Sequence, residues 1–108
     1  MVSVSTMNLD GMIESLRMAI GIATGEPALG VSVLFSGDGV VNGLKNRQSS
    51  EFEKYHTAAQ AHGIKLYIDD FCMSLRNIEA DNVLSCLNIV KSEAILALLS
   101  SADLHVRL

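Results

Sequence analysis

The stretch SSEFEKYHTAAQAHGIKLYIDDFCMSLRNI, residues 49–78, decides the fold because it joins a helix to a strand with clear boundaries. A capping box formed by Ser50 and Glu53 predicts the start of the helix, and Gly63 predicts its end. The next residues, IKLYI at 64–68, alternate apolar and mixed side chains and predict a strand. A helix that leads straight into a strand is the unit from which parallel α/β sheets are built.

The rest of the chain repeats this alternation. Val2 and Val4 predict a short first strand, and the helical spacing of apolar residues predicts a helix over 10–24 with Asn8 or Asp10 as its cap. The remaining predicted elements are strands at GVSVLFS (30–36), CLNIV (86–90) and LHVRL (104–108), a short helix starting at SLRNI (74–78), and a helix at SEAILALLSSAD (92–103). This order predicts a single α/β domain over residues 1–108, a three-layer α/β/α sandwich with a mainly parallel sheet of about five strands.

The charge and hydropathy of the chain bound its partners. The formal net charge is −4 at pH 7 and the lysines and arginines form no run, so no basic surface is predicted and we expect no nucleic acid partner. Apolar residues make up 49% of the 108 residues, which is a high share for so small a domain. Small domains of this kind often cover part of their apolar surface with another subunit, so we expect an oligomer.

Targeting segments and metal-binding patterns are not evident in the sequence. The N-terminal residues MVSVSTMNLDGM lack the basic start and apolar run of a secretory signal, and MAIGIA at 18–23 is too short to span a membrane. Cys72 and Cys86 fit neither a disulfide scaffold nor a zinc site, and His56 and His62 lie on different faces of one predicted helix. We therefore expect a cytoplasmic protein with reduced thiols, no membrane contact, no metal and no cofactor.

Sites in parallel sheets collect at the carboxyl ends of the strands, and the loop SGDGVVN at 36–42 lies at such an end. It lacks the glycine and lysine pattern of a phosphate-binding loop. Gly37, Asp38 and Gly39 instead predict a tight turn with positive φ in which Asp38 bonds its own backbone. The amides of this turn leave open the binding of a small anion.

The second loop at a strand end, DDFCMS at 69–74, contains the candidate nucleophile Cys72. A thiol between a strand and a helix can be held as thiolate by the helix amides, and Arg76 one turn later would help. Asp69 and Asp70 act in the opposite direction, because neighbouring carboxylates raise the pKa of a thiol. A lone cysteine between two apolar residues is more often a packing residue than a reactive one.

Four segments taken together, VSVLFSGDGV, AAQAHGIKLYI, SLRNI and SADLHVRL, resemble in order and spacing the DsrE/DsrF-like superfamily of sulfur-relay proteins, which includes the TusB, TusC and TusD subunits. The resemblance runs from about Val31 to the C-terminus. It implies a three-layer α/β/α subunit that assembles into trimers or hexamers of like or related chains. It also implies that active members hold sulfur as a persulfide on a cysteine after the third strand.

The position of that cysteine is the main departure from the family. In the family it begins a pattern like C-x-A-A-x-L-R-R-G-V, whose last three residues align with Arg76, Asn77 and Ile78 here. The family cysteine then falls on Asp69, and a carboxylate cannot hold a persulfide. Asn77 stands for the family's glycine, a mild change because asparagine tolerates the left-handed conformation.

Three functions remain open. In the first, which we favour, the resemblance implies a non-catalytic binding or assembly subunit of sulfur relay without the persulfide cysteine. In the second, Cys72 is a displaced persulfide carrier and the protein is a sulfurtransferase. In the third, the protein is a small-anion-binding module that uses the loop of Gly37, Asp38 and Gly39, with Arg76 as a further binding residue. The expected partners of a relay subunit are copies of this chain, related DsrE/DsrF-like subunits, or a sulfur-carrier protein.

Overall fold

The computed structural model of the protein describes residues 2–5, 7–25, 30–101 and 106–107. The strands are β1 Val2–Val4, β2 Ser32–Phe35, β3 Lys65–Asp69, β4 Asn88–Val90 and β5 Val106–Arg107. The helices are α1 Leu9–Gly25, α2 Ser50–Ala61, α3 Asp70–Leu75 and α4 Ser92–Ser101, with 3-10 turns at Gly37–Gly43, Lys45–Arg47 and Ala80–Asn82. The ends of the predicted last helix and last strand, 102–105 and 108, lie outside the described residues.

The five strands form one sheet in the order β4-β3-β2-β1-β5, and every pairing is parallel. One face of the sheet packs against α1 and α2, where Leu16 and Phe52 are fully buried against strand residues such as Phe35. The other face packs against α4, where Ile95 meets Leu34. Helices on both faces of a parallel sheet make three layers, so the predicted α/β/α architecture is confirmed.

The N-cap of α2 lies one residue before the predicted one. The side chain of Ser49, not Ser50, accepts a hydrogen bond from the backbone N–H of Phe52 at 3.1 Å. At the other end, Gly63 has φ 75°, and the N–H groups of Gly63 and Ile64 donate to carbonyls of the last helical turn. That pair of bonds is a Schellman motif, so the predicted stop at Gly63 is confirmed.

The turn after β2 brings the backbone close to β1. Gly37 has φ 53°, the left-handed conformation that glycine adopts without strain. Gly39 is buried, and a Cβ there would collide with the carbonyl oxygen of Val4 and lie 3.2 Å from the Cα of Ser5. The two glycines therefore let the loops after β1 and β2 meet at the carboxyl edge of the sheet.

In the described part of the chain, no helix combines the length and the apolar character that crossing a membrane requires.

Candidate functional site

The carboxyl ends of β1, β2 and β3 surround a cavity of about 290 Å³ on the α4 side of the sheet. Its polar wall comes from the residues that end or follow these strands, namely Ser5, Ser36, Gly37 and Asp69. Leu99 belongs to its apolar wall on α4. A cavity with a few convergent polar groups at strand ends is where α/β proteins usually bind ligands.

Asp69, the residue at the family cysteine's position, is the last residue of β3 and the N-cap of α3. Its Oδ1 accepts hydrogen bonds from the N–H of Phe71 at 2.9 Å and the N–H of Cys72 at 3.4 Å. These bonds satisfy amides that the first turn of a helix leaves unpaired. Asp69 thus starts α3 and also contributes a carboxylate to the cavity wall.

The thiol of Cys72 makes hydrogen bonds to Asp69 and to the turn after β2. Its Sγ donates to Oδ2 of Asp69 at 3.3 Å and accepts from the N–H of Gly37 at 3.2 Å. The residue is partly buried and packs against the core beneath α1 and α2. Of the described residues that line the strand-end cavity, Asp69 is one and Cys72 is not.

The pKa of the Cys72 thiol is raised above its usual value. Burial is the largest cause, and the hydrogen bond to Asp69 with the charge of that carboxylate adds to it. The Gly37 N–H and the Arg76 guanidinium lower the pKa but do not offset these effects. The thiol is therefore protonated at neutral pH, which is the unreactive form.

Arg76 joins the two loops that the sequence marks as candidates. Its Nη2 donates to Oδ1 of Asp38 at 2.5 Å, and its Nη1 donates to the carbonyl oxygen of Cys72 at 3.0 Å. The expectation that Asp38 bonds its own backbone is wrong, because the side chain pairs with Arg76 across the loops. The guanidinium reaches the backbone of Cys72, so its effect on the sulfur is through its charge alone.

Two of the amides considered for anion binding, those of Gly37 and Gly39, are engaged within the protein. The N–H of Gly37 donates to the Cys72 sulfur, and the N–H of Gly39 donates to the carbonyl of Ser36 at 2.9 Å. An anion at this loop would have to break these bonds. The geometry therefore disfavours the loop of Gly37, Asp38 and Gly39 as an anion site.

The structure brings together five of the six residues selected from the sequence, whereas Gly39 bonds to Ser36 and lies against β1. Cys72, Asp69, Gly37, Asp38 and Arg76 form one connected network of hydrogen bonds. Among the described residues, no group of three or more histidine, cysteine or acidic side chains is placed to hold a metal ion. The second thiol, at Cys86, is partly buried away from this network, and burial raises its pKa as well.

Several cavity residues were missed from the sequence. Ser5 directly follows β1, so the rule about strand ends would have found it, as it found the loop that begins at Ser36. Ile95 and Leu99 on α4 carried no such signal, because an apolar helix face predicts burial without saying against what. Asn77, on which the alignment depends, has φ 54°, the left-handed conformation that the family's glycine would also supply.

The comparisons with known proteins agree with this fold. The ychN protein from E. coli has a crystal structure that aligns with a TM-score of 0.79 at 18% identity, over 99% of this chain and 97% of that one. The protein MTH1491 from Methanobacterium thermoautotrophicum, described as of unknown function, aligns with a TM-score of 0.81 at 11% identity, over 99% of this chain and 96% of that one. No curated protein is significantly similar in sequence. A family model described as DsrE/DsrF-like matches residues 5–108, and because that match spans nearly the whole length, the chain belongs to the DsrE/DsrF-like family.

Proposed function

We propose that this protein is a cytoplasmic, non-catalytic subunit of sulfur relay that contributes binding surface and assembly, without holding sulfur itself. Family membership supports the sulfur-relay setting. The observation that carries the non-catalytic role is the placement of Asp69. This carboxylate lies in the strand-end cavity at the position that the family resemblance gives to the persulfide cysteine.

The state of Cys72 supports the same proposal. A sulfur carrier needs a thiolate that a donor persulfide can reach. The Cys72 thiol is bonded to Asp69, has a raised pKa and lies outside the cavity wall. A carrier role would require α3 to move and the thiol to lose its carboxylate partner.

Exposed apolar side chains support the assembly part of the proposal. Phe71 and Leu75 lie one turn apart on α3 and are 58% and 64% exposed. Residues four apart share one face of a helix, so these two side chains form a continuous apolar patch. Such a patch fits the copies of this chain, related subunits or sulfur-carrier protein expected as partners.

Persulfide loading followed by intact mass spectrometry tests the proposal. The wild-type protein, after incubation with glutathione persulfide, should gain no sulfur that a reductant removes. The variant Asp69→Cys, built with Cys72→Ser and Cys86→Ser, should gain one sulfur. In that variant the thiolate introduced at position 69 attacks the outer sulfur of the donor, and glutathione leaves as its thiolate.

The two cysteine positions serve as matched controls. If wild type takes up reducible sulfur and Cys72→Ser does not, the protein is a carrier and the proposal is wrong. If Asp69→Cys stays unloaded although it folds, the cavity is not a site for persulfide chemistry, and the assignment of position 69 fails. Circular dichroism of each variant checks that the fold is kept, since loss of an N-cap costs about 1 kcal/mol.

A further inference from the structure

A second cavity shares Arg76 with the hydrogen-bond network of Cys72. Its volume is about 370 Å³, which falls within the range of about 300–1,000 Å³ that small-molecule sites occupy. Three segments line it: Leu44 to Asn46, Arg76 to Ile78, and Asn82. None of the proposed sulfur-relay chemistry uses this cavity, so an inference about it stands independently of the proposed function.

The walls of this cavity are held together by backbone bonds. Leu44 forms an antiparallel bridge with Val83, and the N–H of Leu84 donates to the carbonyl of Gly43 at 2.9 Å. The side chain of Gln48 donates to the carbonyl of Leu44 at 2.7 Å. Two of the three lining segments, the one that begins at Leu44 and the one with Asn82, are therefore tied to each other without a ligand, which lowers the ordering cost of binding.

The charge of the lining is positive. Lys45 and Arg76 line the cavity, and none of the lining residues is acidic. Arg76 is partly neutralised by Asp38, whereas Lys45 makes no ion pair with any described residue. The local charge thus favours a small anion, although the whole chain is acidic. A long polyanion would extend beyond the cavity and be repelled by the net charge of −4.

The guanidinium of Arg76 is oriented in advance. Its bonds to Asp38 and to the Cys72 carbonyl use two of its five N–H groups, and its side chain is 27% exposed. The remaining donors belong to a fixed planar group of the kind that binds phosphate oxygens. Asn77 follows in the left-handed conformation, which turns the chain so that residues 76–78 all face one cavity.

The rest of the lining suits a polar organic group. The carboxamides of Asn46, Asn77 and Asn82 both donate and accept hydrogen bonds, and within the described structure none of them is engaged in one. Leu44 and Ile78 supply apolar wall. Hydroxyl groups on a short carbon chain or ring can bond to carboxamides while the carbon skeleton contacts the apolar side chains.

We infer that this cavity, between Lys45, Arg76 and the three asparagines, binds a small phosphomonoester. The phosphate lies between the ammonium of Lys45 and the guanidinium of Arg76. The hydroxyl-bearing part of the ligand lies against the asparagine carboxamides. A dianion gains from both cations, which favours a phosphomonoester over a monocarboxylate.

Nuclear magnetic resonance titration of the full chain with ribose 5-phosphate tests the inference. The backbone and carboxamide signals of Asn46, Asn77 and Asn82 should shift in a saturable way, while ribose should leave them unchanged. Lys45→Gln removes the unpaired cation without touching the bonds of Arg76, and it should raise Kd about fivefold or more. Added salt should weaken binding, because the cavity is open to solvent.

Lys65→Gln is the matched control, because Lys65 is an exposed lysine at the start of β3, away from this cavity. It should leave Kd unchanged. The inference is overturned if the three asparagine signals stay still, if ribose shifts them equally, or if Lys65→Gln weakens binding as much as Lys45→Gln. Inorganic phosphate that binds as tightly as ribose 5-phosphate would also overturn it, because the asparagines would then contribute nothing.

Discussion

Single residues with unusual environments decide how the loops of this protein meet. Gly39 allows the turn after β2 to lie against β1, and Asp69 begins α3 while holding the thiol of Cys72. His56 is buried on α2 with its ring edge-on to Phe52, and its Nδ1 has no hydrogen-bond partner among the described residues. The Gly39 contact comes from a neighbour distant in sequence and the His56 environment from burial, whereas the contacts of Asp69 are with residues two and three positions away.

Replacing Gly39 by alanine should destabilise the protein by about 1–3 kcal/mol, the usual cost of forcing extra atoms into a packed site. The added Cβ would collide with the carbonyl of Val4, which β1 holds in the sheet. Urea unfolding gives the change in free energy. Gly30→Ala is the control, because a Cβ at Gly30 meets nothing within 4 Å. Equal stability of the two variants would contradict the close approach at Gly39.

The imidazole of His56 should make stability depend on pH. Burial lowers its pKa below the ordinary value of 6.5, and the charge of Glu53 offsets this only in part. The unfolded chain therefore binds more protons than the folded one below 6.5, so the contribution of His56 is present above that pH and is lost as the pH falls towards the lowered pKa. Urea midpoints measured from about pH 7.5 to about pH 5.5 should fall more for wild type than for His56→Gln. His62→Gln, at an exposed site, should behave as wild type does.

At the scale of elements, the two ends of α2 show which helix boundaries a sequence pattern predicts correctly. Gly63 predicts the end of α2 because glycine readily adopts the left-handed conformation that ends many helices, and its φ of 75° confirms the prediction. The predicted start of α2 is one residue late. The capping-box pattern selects Ser50, which is followed by Glu53, whereas Ser49 has the extended backbone of the N-cap and accepts the Phe52 N–H.

Substitutions can distinguish the contributions of Ser49 and Ser50 to the stability of the protein. Ser49→Ala removes the side-chain acceptor of the Phe52 N–H and should lower stability by about 1 kcal/mol. Ser50→Ala should change stability by a few tenths of a kcal/mol at most, because this side chain is exposed to solvent and alanine favours a helix. Chemical denaturation of both variants gives the comparison. A larger loss for Ser50→Ala would restore the capping box that the sequence suggested.

At the scale of the whole molecule, the sheet is covered unevenly. On one face, α1 and α2 bury a large core, whereas on the other face, in the described part of the chain, α4 alone packs against the strands. Phe71 and Leu75 on α3 and Leu96 on α4 remain exposed. The apolar side chains of the sequence are therefore only partly buried within one subunit, which is why we propose assembly.

The double variant Phe71→Lys and Leu75→Lys should lower the oligomeric size measured by light scattering, because two charges would replace the apolar patch on α3. Met18→Lys is the control, since Met18 is a partly exposed apolar residue on α1, outside this patch. Circular dichroism should show an unchanged fold in both. A wild-type protein that is monomeric at micromolar concentration would contradict the assembly role. An unchanged oligomeric size in the double variant would show that the interface does not include the α3 patch.

The sequence by itself determined the order of helices and strands, the parallel sheet and the two loops at its carboxyl edge. These features depend on the local periodicity of apolar residues and on the positions of glycines, and both can be read directly from the sequence. Only the tertiary structure decided that Asp69 lies in the cavity while Cys72 lies outside it, and that Asp38 pairs with Arg76. Those relations depend on how α3 is oriented after β3, and on loops that meet only when β1, β2 and β3 lie side by side.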